Sequence, residues 1–256
     1  MISQGKRFDE VVFPALCAHR GVPGLMPESC LPGFAAGIAL GADEIEFDIR
    51  LTKDKKLIIA HDEKVDRIAA GTGKISELTL TELKAMRLRT PGDDKEWNVT
   101  FSTPEEVFEA IGSAAVMNLH FKKLGEDTGA VVAEMKRLVE KYGLENSVYF
   151  SSSEEETMQH FVALAPEIPR NALEPWREDL DIVDYAVRYG CARCQLFNGV
   201  FDAEKVNRAI AAGIVCNVFW TDDEELAREY LDMGISVLLT NRTDLLTGVI
   251  EEYRRK

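Results

Sequence analysis

A chain of 256 residues, 46% of them hydrophobic and 29% charged, has the make-up of an ordinary globular protein and the length of one large domain. Its formal net charge of −14 argues against a general nucleic-acid binder, because phosphate backbones reward the opposite sign. No run approaches the roughly 20 apolar residues that span a bilayer, and the opening MISQGKRFDEVVF holds no signal-peptide core, so a cytoplasmic protein is expected.

Ala15–His19 reads as a short strand. A helix follows, introduced by Ser29 or Cys30, with Pro32 in its first turn and Gly41 as its stop. The segment 44–51, EIEFDIRL, is a strand, and a polar turn leads from it into the apolar run 57–60. Residues 62–100 carry Gly71, Gly73, Pro91 and Gly92, with one helical piece at 81–89, and read as an insertion within a βα loop of about residues 53–100.

From Thr103 the rhythm becomes regular. Thr103 is a helix N-cap, with Pro104 at the first helical position and acids in the first turn. Strands are expected at 116–121, 148–151, 168–173, 192–196, 214–220 and 237–240. Helices are expected at 129–142, 154–164, 180–189, 203–212, 222–233 and 244–254, several closed by glycine. With 57–60 assigned to the excursion, this makes eight βα units in one domain. The expected fold is a (β/α)₈ TIM barrel of class α/β, with a small insertion after the second strand. An open doubly wound sheet is the alternative, but no Gly-rich phosphate turn follows any strand.

Barrels gather their chemistry at the C-terminal ends of the strands. His19 and Arg20 close the first strand. Glu46 and Asp48, two apart on the second, share its inward face, where a hard cation would relieve their repulsion. A solvated or ion-paired strand end remains an equal reading, and Glu44, one step lower, has no account. On the third strand Asn118, His120 and Lys122 share the inward face, which favours His120 as a ligand. His61 ends the apolar run after the turn, and His160 reads as structural. Phosphodiester cleavage needs positive charge for the non-bridging oxygens, a base for the nucleophile and an acid for the leaving alkoxide. Arg20, Lys122 and a metal on Glu46 and Asp48 supply the first, and His19 and His61 the other two. The five cysteines are scattered and odd in number, which fits reduced thiols, and the Cys191–Cys194 spacing lacks the context of a redox or zinc motif.

HRG at 19–21, PES at 27–29, GADEIEFDIRLTKD at 41–54 and IIAHD at 58–62 resemble the glycerophosphodiester phosphodiesterase family, whose pattern is HRG, PEN, GAD-x-IE-x-D with a T-x-D turn, and HD. Weaker likeness continues through TPEEVFEA, MNLHFKK, VFWTDDEEL and SVLLTNRTDLL. The resemblance implies a TIM barrel with a small segment inserted after the second strand. It also implies His19 and His61 as the acid/base pair, Glu46 and Asp48 as ligands of one divalent ion, usually Mg²⁺ or Ca²⁺, and Arg20 on the phosphate. Glu28 would line the polar pocket, and Trp220 would close over the substrate unless it is only barrel-rim packing.

Two positions depart from the pattern. The family's third-strand E-x-K reads here as His120 with Lys122 retained, which removes a charge and softens the site toward Mn²⁺, Zn²⁺ or Fe²⁺. Ser29-Cys30 replaces the common Asn-Thr. The expected activity is metal-dependent hydrolysis of a small-molecule glycerophosphodiester to glycerol 3-phosphate and an alcohol. No nucleic-acid partner and no stable membrane association are expected, and the sequence is silent on oligomeric state. The alternatives are a lysophospholipase D-like phosphodiesterase, or a catalytically weak member that only binds phosphodiester or metal.

Overall fold

The computed structural model describes residues 5–90, 92, 93, 95–174 and 180–256. Among the described residues nine strands form one sheet: β1 (Ala15–His19), β2 (Glu44–Leu51), β3 (Leu57–Ile59), β4 (Val116–Phe121), β5 (Val148–Ser152), β6 (Arg170–Leu173), β7 (Arg193–Phe197), β8 (Val215–Phe219) and β9 (Val237–Thr240). All but β3 pair in parallel in the order β1-β9-β8-β7-β6-β5-β4-β2, and a β1–β2 pairing closes the ring. The fold is therefore a TIM barrel. β3 pairs antiparallel with β2, outside the ring, as the excursion reading requires.

The helices are α1 (Leu31–Ala39), α2 (Leu80–Lys84), α3 (Pro104–Ile111), α4 (Thr128–Tyr142), α5 (Glu155–Leu164), α6 (Ile182–Arg188), α7 (Ala203–Ala211), α8 (Glu224–Met233) and α9 (Thr243–Arg254). Their starts are written in side-chain chemistry. Thr103 and Glu106 form a reciprocal capping box, and Asp181, Asp202 and Asp223 accept from backbone N–H groups of α6, α7 and α8. The outward residues of β2, Ile45, Phe47 and Ile49, are fully buried between barrel and helices. Gly37 of α1 lets that helix rest on β1, since a Cβ there would lie 2.7 Å from that of Ala18. Among the described residues no helix is long and apolar enough to cross a membrane.

Three helix expectations need correction. The piece expected at 81–89 is only Leu80–Lys84: Thr79 and Glu82 cap its start, and beyond Ala85 the chain turns extended and bridges Leu88 to Ala69 and Arg89 to Glu96. The helix expected from residue 180 starts at Ile182, because Asp181 is its cap. The helix expected from 222 starts at Glu224, because Asp223 is its cap. The excursion builds a small core of its own from Ile58, Val65, Ile68, Ile75, Leu83, Leu88 and Phe101, which fixes His61 and Arg67 over the barrel. The five cysteines are free and buried.

The barrel interior is layered. At the bottom Arg193 donates to both oxygens of Glu44, at 2.8 and 3.0 Å, and Tyr149 donates to the same carboxylate at 2.8 Å. The guanidinium also lies 4.5 Å from the ring centroids of both Phe8 and Tyr149. Above it Asn118 donates to Gln195 at 3.1 Å, and Asn171 donates to Ser151 at 2.9 Å. The carboxylates and imidazoles come next, at the strands' C-terminal ends.

Candidate active site

β1 delivers His19 and then turns sharply. Arg20 (φ 55) and Gly21 (φ 90) lie in the left-handed region, and a Cβ on Gly21 would come within 2.8 Å of the Gly33 backbone. The Arg20 N–H donates to the Glu46 carbonyl at 3.0 Å and lies 3.2 Å from its Oε2. Parallel registry then sets His19 beside Glu46, and Asp48 beside His120.

Glu46, Asp48 and His120 each present a ligand atom within 4.8 Å of the others'. Both acids are 1% exposed. Burial and the neighbouring Asp48 push the Glu46 carboxyl up to about 8. Burial opposes ionisation of Asp48 as well, but Lys122, His120 and Arg20 outweigh it and hold that carboxyl well below the usual range. Burial and Lys122 push His120 down to about 4, so it is neutral.

Asp48 Oδ1 lies 2.8 Å from His120 Nδ1 and 2.9 Å from Lys122 Nζ, yet neither Asp48 oxygen accepts a well-aligned hydrogen bond. His120 Nδ1 is also 3.3 Å from Lys122 Nζ. It would have to carry a proton to satisfy Asp48 and lack one to satisfy Lys122. Poorly satisfied buried carboxylate oxygens beside a neutral imidazole nitrogen are a donor set that fits a divalent cation.

The two histidines are braced differently. His19 Nδ1 lies 2.8 Å from Asn241 Oδ1, while Asn241 Nδ2 donates to Asp222 at 3.0 Å and Asn241 N at 2.7 Å. The amide oxygen must accept, so His19 carries its proton on Nδ1 and leaves Nε2 bare. That Nε2 is buried without a hydrogen-bond partner, 3.9 Å from Glu46. Burial and the adjacent Arg20 keep the ring well below its ordinary pKa, hence neutral. His61 Nδ1 instead meets a carboxylate, Asp62 Oδ1, at 2.6 Å, and Arg50 grips the His61 carbonyl at 2.6 and 3.0 Å. Burial lowers its pKa too, with Asp48 and Asp62 opposing.

Arg20 lies 3.4 Å from both Asp48 and Glu28. Glu28 is 3% exposed and takes two hydrogen bonds from Arg67, both at 2.8 Å, while Arg67 also donates to Asp62 at 2.6 Å. Glu28 thus joins the Arg20 side of the site to the His61 side. His61, His120 and Lys122 open onto a pocket of about 150 Å³ walled by Ser153, Leu173, Glu174, Gln195, Phe197 and Phe219. Trp220 is at the rim after β8, 39% exposed, and is not among that pocket's lining residues. His160 sits away from the site, its ring packed on Gly129.

Residues 19–245 match the model of the glycerophosphoryl diester phosphodiesterase family. The chain belongs to this family. A glycerophosphodiester phosphodiesterase of Caldanaerobacter subterraneus is 30% identical over 229 residues, covering 81% of this chain and 93% of that one. One from Bacillus subtilis is 26% identical over 255 residues, covering 92% and 86%. Among solved structures, a phosphodiesterase from Oleispira antarctica in complex with the product sn-glycerol-3-phosphate superposes with a TM-score of 0.84 at 24% identity, covering 93% of this chain and 97% of that one.

Glycerophosphodiester phosphodiesterases are phosphoric diester hydrolases, and this member's strand ends bring His19, Arg20, Glu46, Asp48, His61, His120 and Lys122 into one neighbourhood. Reading the sequence missed Asn241, Asp222, Arg67 and Glu174. Asp62 was visible beside His61. Asp222 and Asn241 sit where polar residues ordinarily cap the following helix, which hid their second task.

Proposed function

We propose that the chain hydrolyses glycerophosphodiesters to glycerol 3-phosphate and an alcohol, with one divalent cation held by Glu46, Asp48 and His120. The observation that carries this reading is the pairing of that buried donor set with two imidazoles, each fixed through Nδ1 by a different kind of partner. The cation would neutralise the non-bridging phosphate oxygens and favour attack at phosphorus. Arg20 and Lys122 add positive charge on the same side, each already within ion-pair reach of Asp48.

His19, bare at Nε2 and braced by a neutral amide, takes the proton from the nucleophile, either water or the glycerol 2-hydroxyl. His61, backed by the Asp62 carboxylate that stabilises its charged form, donates to the leaving alkoxide. Glu28 holds Arg20 and Arg67 in place, and Trp220 closes the rim over bound substrate. The same bracing argues against a chain that merely binds phosphodiesters, because binding needs no oriented proton donor and acceptor.

The test is release of glycerol 3-phosphate from glycerophosphocholine, glycerophosphoethanolamine and glycerophosphoglycerol by metal-stripped protein with Mg²⁺, Ca²⁺, Mn²⁺ or Zn²⁺ restored singly. Turnover with at least one ion, lost in His19→Ala, is expected. Silence with every ion and every diester would end this reading. His120→Glu should move the preference toward Mg²⁺ or Ca²⁺, and an unchanged preference would remove His120 from the ligand set.

A further inference from the structure

Arg67 comes from the excursion rather than from a barrel strand. Its backbone is set by the excursion's own core: Val65, Ile68 and Ala69 are buried around it, and the Arg89 N–H donates to the Ile68 carbonyl at 2.7 Å. All three of its guanidinium nitrogens are spent on the site. Nη1 and Nη2 each donate to one oxygen of Glu28 at 2.8 Å, and Nε donates to Asp62 Oδ2 at 2.6 Å. The other Asp62 oxygen meets His61 Nδ1 at 2.6 Å.

Arg20 receives what that fork leaves. Its Nη1 reaches Glu28 Oε1 only at 3.4 Å, and its Nε stands 3.4 Å from Asp48 Oδ2 without an aligned hydrogen bond. Glu28 is thus a buried carboxylate between two guanidinium groups, with the tight geometry given to Arg67. Among the described residues Arg20 is the one other cation in ion-pair range of Glu28. A buried carboxylate that lost its fork would draw Arg20 into close contact, because an unpaired buried charge is costly. The N–H groups turned to a carboxylate are then withheld from phosphate.

We propose that Arg67 is a positioning residue of the phosphodiesterase: it occupies Glu28 so that Arg20 stays open for phosphate, and it holds Asp62 so that Asp62 aims His61. This rests on the hydrolase reading above, in which Arg20 meets the phosphate and His61 the leaving alkoxide.

The experiment measures KM and kcat for glycerophosphocholine, and calorimetric binding of glycerol 3-phosphate, with the cation restored. It compares wild type, Arg67→Met, and Arg67→Met combined with Glu28→Gln. Arg67→Met should raise KM and the Kd of glycerol 3-phosphate about tenfold, as Glu28 draws Arg20 away, and should lower kcat about tenfold, as Asp62 loses its brace. Adding Glu28→Gln removes the competing charge and should return KM and Kd most of the way, while kcat stays low. Arg67→Lys, which keeps the charge without the fork, should fall between wild type and Arg67→Met. A merely structural role predicts no rescue, since removing a second group from one network deepens the loss. A double variant no better in KM and Kd than Arg67→Met would therefore overturn the screening of Arg20, and an unchanged kcat in Arg67→Met would overturn the bracing of Asp62. If Arg67→Met does not fold, Arg67→Lys with and without Glu28→Gln gives the same comparison. Rescued binding of glycerol 3-phosphate with no turnover of any diester by wild type would instead defeat the hydrolase reading and leave the screening of Arg20 standing.

Discussion

β2 carries three inward carboxylates at two-residue steps, and the two ends of this one strand live under opposite rules. At the bottom, Glu44 takes two hydrogen bonds from Arg193 and one from Tyr149, with both ionic partners at most 1% exposed. At the top, Glu46 and Asp48 repel each other in a buried site, and Lys122 and Arg20 make only partial amends. At the bottom the two opposite charges are in direct contact, with Arg193 Nη1 bonded to Glu44 and the guanidinium resting on the Phe8 and Tyr149 rings, although its Nε and Nη2 have no hydrogen-bond partner. The top holds a repulsion between carboxylates that a bound cation would relieve. Position along the barrel axis, rather than residue type, separates structure from chemistry here.

The sharpest way to break this comparison is to remove an imidazole at the top. His19→Ala or His61→Ala should lower kcat by about 10³-fold, while cooperative unfolding persists, as measured by steady-state kinetics beside thermal melts. A milder cut removes only the brace. Asn241→Ala leaves His19 in place but frees its Nδ1, while Asp222 keeps its bonds from the residue-241 N–H and Thr240 Oγ1, and kcat should fall about 10- to 100-fold with little change in KM. An equal rise in KM would mean that Asn241 serves binding rather than orientation.

The smallest expected effect is on stability in acid. Burial works against ionisation of Asp62, but its bonds to Arg67 and His61 hold the carboxyl at about 2. A carboxyl depressed in the folded state stabilises above its unfolded pKa of about 3.9, and that contribution is lost as pH falls toward 2. Asp62 is 30% exposed, so the contribution is at most about 1 kcal/mol. Urea unfolding should show wild type ahead of Asp62→Asn at pH 5 and level with it near pH 2.

What the sequence disclosed followed the reach of its patterns. Period-2 alternation in EIEFDIRL and MNLHFKK put Glu46, Asp48, His120 and Lys122 on inward faces, and eight repeats of strand and helix implied closure. Glu44 stayed unexplained because its partner Arg193 is 149 residues away, in a strand with a weak pattern. The brace on His19 lies 222 residues downstream and could not be read locally. Glu28 was expected only through the family resemblance, and its grip on Arg67 needed the excursion to fold over the barrel. Helix starts slipped where a capping side chain outranked helix propensity, as at Asp181 and Asp223.

The central claim is that Glu44 and Glu46, two residues apart, do different jobs. It is tested by thermal unfolding of Glu44→Gln and Glu46→Gln in metal-free buffer, with turnover of glycerophosphocholine measured on both after the cation is restored. Glu44→Gln strands the buried Arg193 charge, at a cost of about 3–5 kcal/mol, and should lower Tm by roughly 6–20 °C. Glu46→Gln puts an amide where the carboxyl is already pushed up to about 8, so Tm should stay within about 3 °C, while turnover falls at least about 100-fold. Equal losses of Tm in the two variants, or full turnover in Glu46→Gln, would contradict the account.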